Sequence, residues 1–93
     1  MRESYIQGKI RAYLITNGWL TVKLINASPN GMPDLMAIKD GKVIFLEVKT
    51  EKGKTSKLQD YQIERLKEMG VSAFVVRSTV EMKEILKIGR AHV

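Results

Sequence analysis

Asp40-Gly41 constrains this chain more than any other feature, because it stands between two strand-like apolar runs, residues 34–39 and 42–50. A dipeptide of this kind accepts the positive φ of a tight turn, so the two runs are expected to pair as an antiparallel hairpin. The remaining elements follow from hydrophobic period. Over 2–17, Ile6, Ile10 and Leu14 recur every fourth residue with Tyr13 alongside, and Gly18 then supplies a stop, which describes an amphipathic helix. Residues 19–27 set Leu20, Val22 and Leu24 against Thr21 and Lys23, the alternation of a half-buried strand. A loop over 28–33 precedes the hairpin, and a polar loop over 51–55 follows it. A second helix is expected over 56–69, with Leu58, Leu66 and Met69 as its apolar stripe and Gly70 at its end. Residues 71–77 read as a strand and 79–88 as a short helix, leaving a polar tail, 89–93, that should fray.

The order is helix, three strands, helix, strand, helix. A strand-helix-strand crossover sets the last strand parallel to the one it joins, and the first helix is expected to cover the sheet alongside the second. The fold expected is α/β, a mixed sheet flanked by helices, in one domain over 1–93. A chain of 93 residues builds one core and buries roughly 60–65% of its unfolded surface. It contains no cysteine, whereas a secreted domain this small would normally lean on disulfides or a thiolate metal site, so the cytoplasm is the expected location. No apolar run approaches the ~18 residues that span a bilayer, and the start lacks a signal-peptide stretch, so no membrane association is expected. Sixteen Lys and Arg against ten Asp and Glu give a net charge of +6, which suits a polyanionic partner such as nucleic acid and equally suits a basic protein that is merely soluble.

Side chains alternate along a strand, so Glu47 and Lys49 share a face with Val43 and Phe45 while Val48 points the opposite way. Hairpin pairing brings Asp34, at the mouth of its strand, toward Glu47. Two carboxylates and an ammonium then meet in a small volume. Such a set can hold Mg²⁺ or Mn²⁺ through hard oxygen ligands and hydrolyse a phosphodiester, with Lys49 stabilising charge on the phosphate. Glu47 and Lys49 taken alone also fit a cross-strand salt bridge on a solvated face, worth ~0–1 kcal/mol. Glu3 lies near the face of Ile6 and Ile10, which points it toward the sheet, and an acid in a first helical turn also complements the helix dipole. Gln59 stands three residues after Ser56, the spacing of a capping box, and Gln62 follows near the apolar stripe.

In chain order, Glu3, Gly31-Met32-Pro33-Asp34-Leu35, Glu47-Val48-Lys49, Gly53 with Ser56 and Gln59, and Val75-Val76-Arg77-Ser78 resemble the pattern of VRR-NUC domains in the PD-(D/E)xK nuclease superfamily. The resemblance spans nearly the whole chain. It implies a restriction-endonuclease-like αβββαβ core in which Asp34 and Glu47 bind Mg²⁺ or Mn²⁺, with the carbonyl of Val48 as a further ligand. Lys49 matches the catalytic lysine, Glu3 the helix-borne acid that reaches the ion directly or through water, and Gln59 a glutamine that orders the site. Gln62 matches no position of the family. Arg77 and Ser78 match the strand motif, as contacts to DNA or as braces of the site. Lys52 and Lys54 flank Gly53 in a loop that varies from the pattern.

Stand-alone members of that family, encoded by phages and bacteria, resemble Holliday junction resolvases and act as homodimers, which implies an endonuclease for branched DNA. Symmetric cutting of two strands needs two sites related by a two-fold axis. Candidate surfaces for pairing are the Trp19 region and the first helix. Lysines 23, 39, 42, 52, 54 and 57 are available for phosphate contacts, and no base-reading module is present, so recognition by DNA shape is expected. The rival readings are a nuclease for flaps, nicks or plain duplex, and a DNA-binding module without catalysis.

Overall fold

Asp40 and Gly41 both take positive φ, 51° and 77°, in the computed structural model, which describes residues 2–91 and side chains as far as Lys87. The turn between them joins β2 (Leu35–Lys39) to β3 (Lys42–Val48) in an antiparallel register that sets Leu35 against Leu46 and Lys39 against Lys42. Positive φ at both central residues is the backbone of a type I′ hairpin, whose twist matches that of the flanking strands. β1 (Leu20–Lys23) flanks β2 antiparallel, and β4 (Ser72–Val76) runs parallel to β3. The sheet order is therefore β1-β2-β3-β4, mixed as expected.

Register decides which side chains face which layer. Leu35, Ala37, Ile44, Leu46, Val48 and Val76 project to one side of the sheet and are buried against Ile6, Ile10 and Leu14 of α1 (Glu3–Thr16) and Met82 of α3 (Thr79–Ala91). The four-residue recurrence on α1 makes this possible, since residues one turn apart stack on a single helical face. Both predicted glycine stops form complete Schellman motifs. Gly18 and Trp19 donate to the carbonyls of Ile15 and Leu14, and Gly70 and Val71 donate to those of Lys67 and Leu66.

The structure corrects four expectations. First, α1 shares its face with α3, while α2 (Lys57–Glu68) lies on the opposite side, where its Gln59 reaches Glu47. The apolar rows of α1 and α3 already fill the first face, which leaves the second to the crossover helix. Second, α2 does not bury Leu58 and Met69. Met69 is 71% exposed, and the residues turned inward are Gln62 and Ile63, with Leu66 half-buried. Third, the strand expected over 19–27 forms ladder pairs only over Leu20–Lys23. Leu24 donates once more, to the Asp34 carbonyl at 2.8 Å, before Asn26 turns the chain with a φ of 53°. Fourth, the last helix, expected to end near 88, runs to Ala91, and 92–93 of the expected tail lie outside the described residues.

Lys39 is also removed from the lysines free for a ligand. Its ammonium donates to the Asn17 carbonyl at 2.7 Å, satisfying the C-terminal end of α1, where a cation is favoured by the helix dipole.

Candidate active site

Asp34 enters the site because β2 begins immediately after it. Its Oδ2 accepts a hydrogen bond from the Val48 backbone N–H at 3.0 Å, which ties the mouth of β2 to the end of β3. The loop leading to it is held against α2 in two places. Gln62 donates its amide to the Asn30 carbonyl at 3.0 Å. Gly31, with φ 85°, lies so close to Leu58 that an added Cβ would stand 2.6 Å from Leu58 Cγ. No L side chain takes that place without displacing the loop.

Glu47 is 1% exposed, and its two oxygens meet different surroundings. Oε2 accepts from Gln59 Nε2 at 3.0 Å and faces Lys49 Nζ at 3.3 Å. Oε1 is buried without any hydrogen-bond partner. Burial and then the neighbouring Asp34 carboxylate push the Glu47 carboxyl up from 4.5 to about 7, a rise that Lys49 opposes and Glu3 adds to. An unsatisfied charged oxygen in the interior costs several kcal/mol unless something pairs with it. Glu3, Asp34 and Glu47 each present a carboxylate oxygen, and the three oxygens lie within 4.8 Å of one another. A divalent cation suits this donor set. It would satisfy the orphaned oxygen and offset the repulsion among three acids, and oxygen-only ligation favours Mg²⁺, Mn²⁺ or Ca²⁺ over softer metals.

Gln59 reconciles two roles that the sequence left as alternatives. Its backbone N–H donates to Ser56 Oγ and its Oε1 accepts from the Ser56 N–H, a complete capping box at the start of α2. The remaining amide N–H then points at Glu47, so the cap that starts the helix also orients the carboxylate.

Arg77 braces the chain next to the site. Its guanidinium donates to the carbonyls of Thr50, Glu51 and Gly53, pinning the turn that follows Lys49. Ser78 caps α3, its Oγ accepting from the Glu81 N–H at 3.1 Å while the Glu81 carboxylate takes the Arg77 N–H. Lys52, Lys54 and Lys57 are exposed at this end of the molecule and pair with no carboxylate among the described residues. The part Gln62 plays in holding the loop before Asp34 was not legible in the sequence. Gln62 gave only the weak signal of an amide beside apolar residues, because the carbonyl it holds, that of Asn30, lies 32 residues away.

These distances bring together four residues that sequence reasoning singled out, Glu3, Asp34, Glu47 and Lys49, and add Gln59 as a direct neighbour of the buried acid. Comparison with known proteins points the same way. A solved structure described as a VRR_NUC domain superposes with a TM-score of 0.81 at 29% sequence identity, covering 91% of this chain and 94% of that one. No curated protein matches. The profile of the family described as "Archaeal holliday junction resolvase (hjc)" matches residues 7–89, nearly the full length, with Glu3 just ahead of the matched span. The chain belongs to this family of Holliday junction resolvases.

Proposed function

We propose that this protein is a divalent-metal-dependent endodeoxyribonuclease that cuts branched DNA, four-way junctions above all, as a homodimer. The observation that carries the reading is the buried, unpartnered Oε1 of Glu47 converging with the carboxylates of Asp34 and Glu3 beside Lys49. Asp34 and Glu47 are the proposed ligands of Mg²⁺ or Mn²⁺, with the Val48 carbonyl and Glu3 completing the set, Glu3 directly or through water. When bound, such an ion neutralises charge on the scissile phosphate and lowers the pKa of a bound water.

The chain's own residues do the rest. Gln59 and Lys49 hold one oxygen of Glu47, leaving the other free to face the ion. The Val48 N–H fixes Asp34 in the same way. Lys49 keeps an ammonium at the mouth of the site, where it orients the attacking water or stabilises the charge that grows on the phosphate in the transition state. The basic lysines around the 51–57 segment supply phosphate contacts that carry no sequence information, in keeping with recognition of DNA shape.

Pairing is supported by the second face of the sheet. Leu20, Val22, Met36, Ile38, Val43 and Phe45 all project there, none is charged, and Leu20 at the edge is 62% exposed. α2 lies over the neighbouring β4, and the other five residues of this row are half-buried. An apolar row of that extent suits an isologous contact with a second copy, which would give a two-fold pair of active sites. Trp19, one candidate for a pairing surface, packs partly buried against the core, and the first helix stands as a candidate beside the sheet face. Among the described residues no helix is long and apolar enough to cross a membrane.

Cleavage of a labelled four-way junction in Mn²⁺ tests the activity. Wild type should cut it faster than a flap, a nicked duplex or plain duplex, and Glu47→Ala or Lys49→Ala should each lower the rate by about 10²-fold or more. A wild type no faster than these variants contradicts the proposal.

Sedimentation of wild type and Met36→Glu tests the pairing. The wild type should run as a dimer and the variant as a folded monomer, whereas a dimer unmoved by the substitution places the contact elsewhere.

The raised carboxyl of Glu47 sets a pH dependence of known sign. A group whose folded pKa lies above its unfolded value holds its proton longer in the native state, so its contribution is present below 4.5 and is lost as pH rises through about 7. In EDTA, wild type should lose thermal stability relative to Glu47→Gln across that window. At pH 8, Mn²⁺ at 100 times its Kd should restore about 2.7 kcal/mol to wild type and much less to the variant. Melting curves that stay parallel at every pH, with and without Mn²⁺, would refute this.

A further inference from the structure

Beside the proposed metal site, on the side of α1 and α3, lies a cleft of about 530 Å³ whose α1 wall the nuclease reading leaves unused. Its walls come from three parts of the chain. α1 contributes Ile6 and Lys9, the turn after β3 contributes Lys52, and the junction of β4 with α3 contributes Arg77, Ser78 and Thr79. Glu51 is the one acid in the lining, so the cleft carries a net positive charge.

The cations in it are not equivalent. The Arg77 guanidinium is occupied with loop carbonyls and acts as a brace whose charge remains. Lys9 and Lys52 are exposed, and neither pairs with a carboxylate among the described residues. Lys9 is partly ordered, its Nζ resting 5.2 Å from the centre of the Tyr5 ring. Because Arg77 pins the turn that presents Lys52, the two ammonium groups are offered to a common space by rigid elements.

Distance then relates the cleft to the acids. Glu3 and Lys9 stand on the same helix, six residues apart, which at 1.5 Å per residue separates them by ~9 Å along its axis. Along one strand of duplex DNA the charges recur about every 3.4 Å of axial rise, so a strand that runs from the metal site along α1 carries a second phosphate to the level of Lys9 roughly two to three nucleotides away. We propose that Lys9 and Lys52 bind that phosphate, a second anchor on the cleaved strand that sets which bond lies over the acids. They are positioning residues, and the inference rests on the nuclease reading above.

Binding of a labelled four-way junction, measured in Mg²⁺ against salt concentration in the Lys49→Ala background, tests it. The exposed Lys9→Gln and Lys52→Gln changes should leave melting unaltered. Together they should weaken binding about tenfold and lower the slope of log K against log salt by about 0.9, the loss of one phosphate contact. Lys67→Gln, a control on the outer surface of α2, should change neither. A single uncharged methylphosphonate two or three nucleotides from the cut should weaken binding by the parent and have no further effect on the double variant. A double variant with unchanged affinity and slope, or one still sensitive to that methylphosphonate, overturns the inference while leaving the nuclease reading intact. A parent that binds no junction DNA overturns both.

Discussion

Glu47 is a carboxylate withdrawn from water with one oxygen bonded and the other facing no donor at all. Nothing about its strand requires an acid there. Val43 and Phe45 share its face, and an apolar residue at this position would extend their row without desolvating a charge. The acid is nonetheless locked inward, because Leu46 and Val48 on either side are committed to the core with α1 and α3. Turning Glu47 out to solvent would turn those two into the site, since a one-residue shift in a strand exchanges its faces. The packing of the core thus holds the charge in place, and the chemistry of the site is to compensate it.

The helix on the second face does much of this holding. α2 reaches Glu47 through Gln59, and it fixes the loop before Asp34 through Gln62 and through the close approach of Gly31 to Leu58. Asp34 and Glu47 are therefore both referred to one rigid element, with Glu3 approaching from α1. In such an arrangement the packing of the fold, rather than the freedom of long side chains, sets the carboxylates together. The same economy recurs at Arg77, where one guanidinium orders the turn that carries the chain away from Lys49.

How much of this could be read from residues depends on the range of the interaction involved. The hairpin was legible because its turn chemistry and its alternation are local, and the ends of α1 and α2 were legible because Gly18 and Gly70 act within a few residues. The capping box was legible for the same reason. The inward face of α2 was not. Leu58 has the composition of a core residue, yet it lies against the loop at Gly31, and Gln62 is buried because its partner carbonyl stands 32 residues earlier. The acids and Lys49 were recognisable as a set through hairpin alternation and family resemblance. Whether Glu3 joined them depended on how α1 crosses the sheet, which no local pattern reports. Arg77 presents the same difficulty, since a cation that binds carbonyls and a cation that binds DNA are identical in the sequence.

The claim beneath all of this is that three carboxylates, from α1, the mouth of β2 and β3, form a seat for a divalent cation. Anomalous diffraction from crystals soaked in Mn²⁺ tests it without reference to activity. The account predicts a peak in contact with Asp34 and with the second oxygen of Glu47, the one that has no partner in the protein. Crystals that show Mn²⁺ bound elsewhere, with Glu47 Oε1 still unpaired, would contradict it.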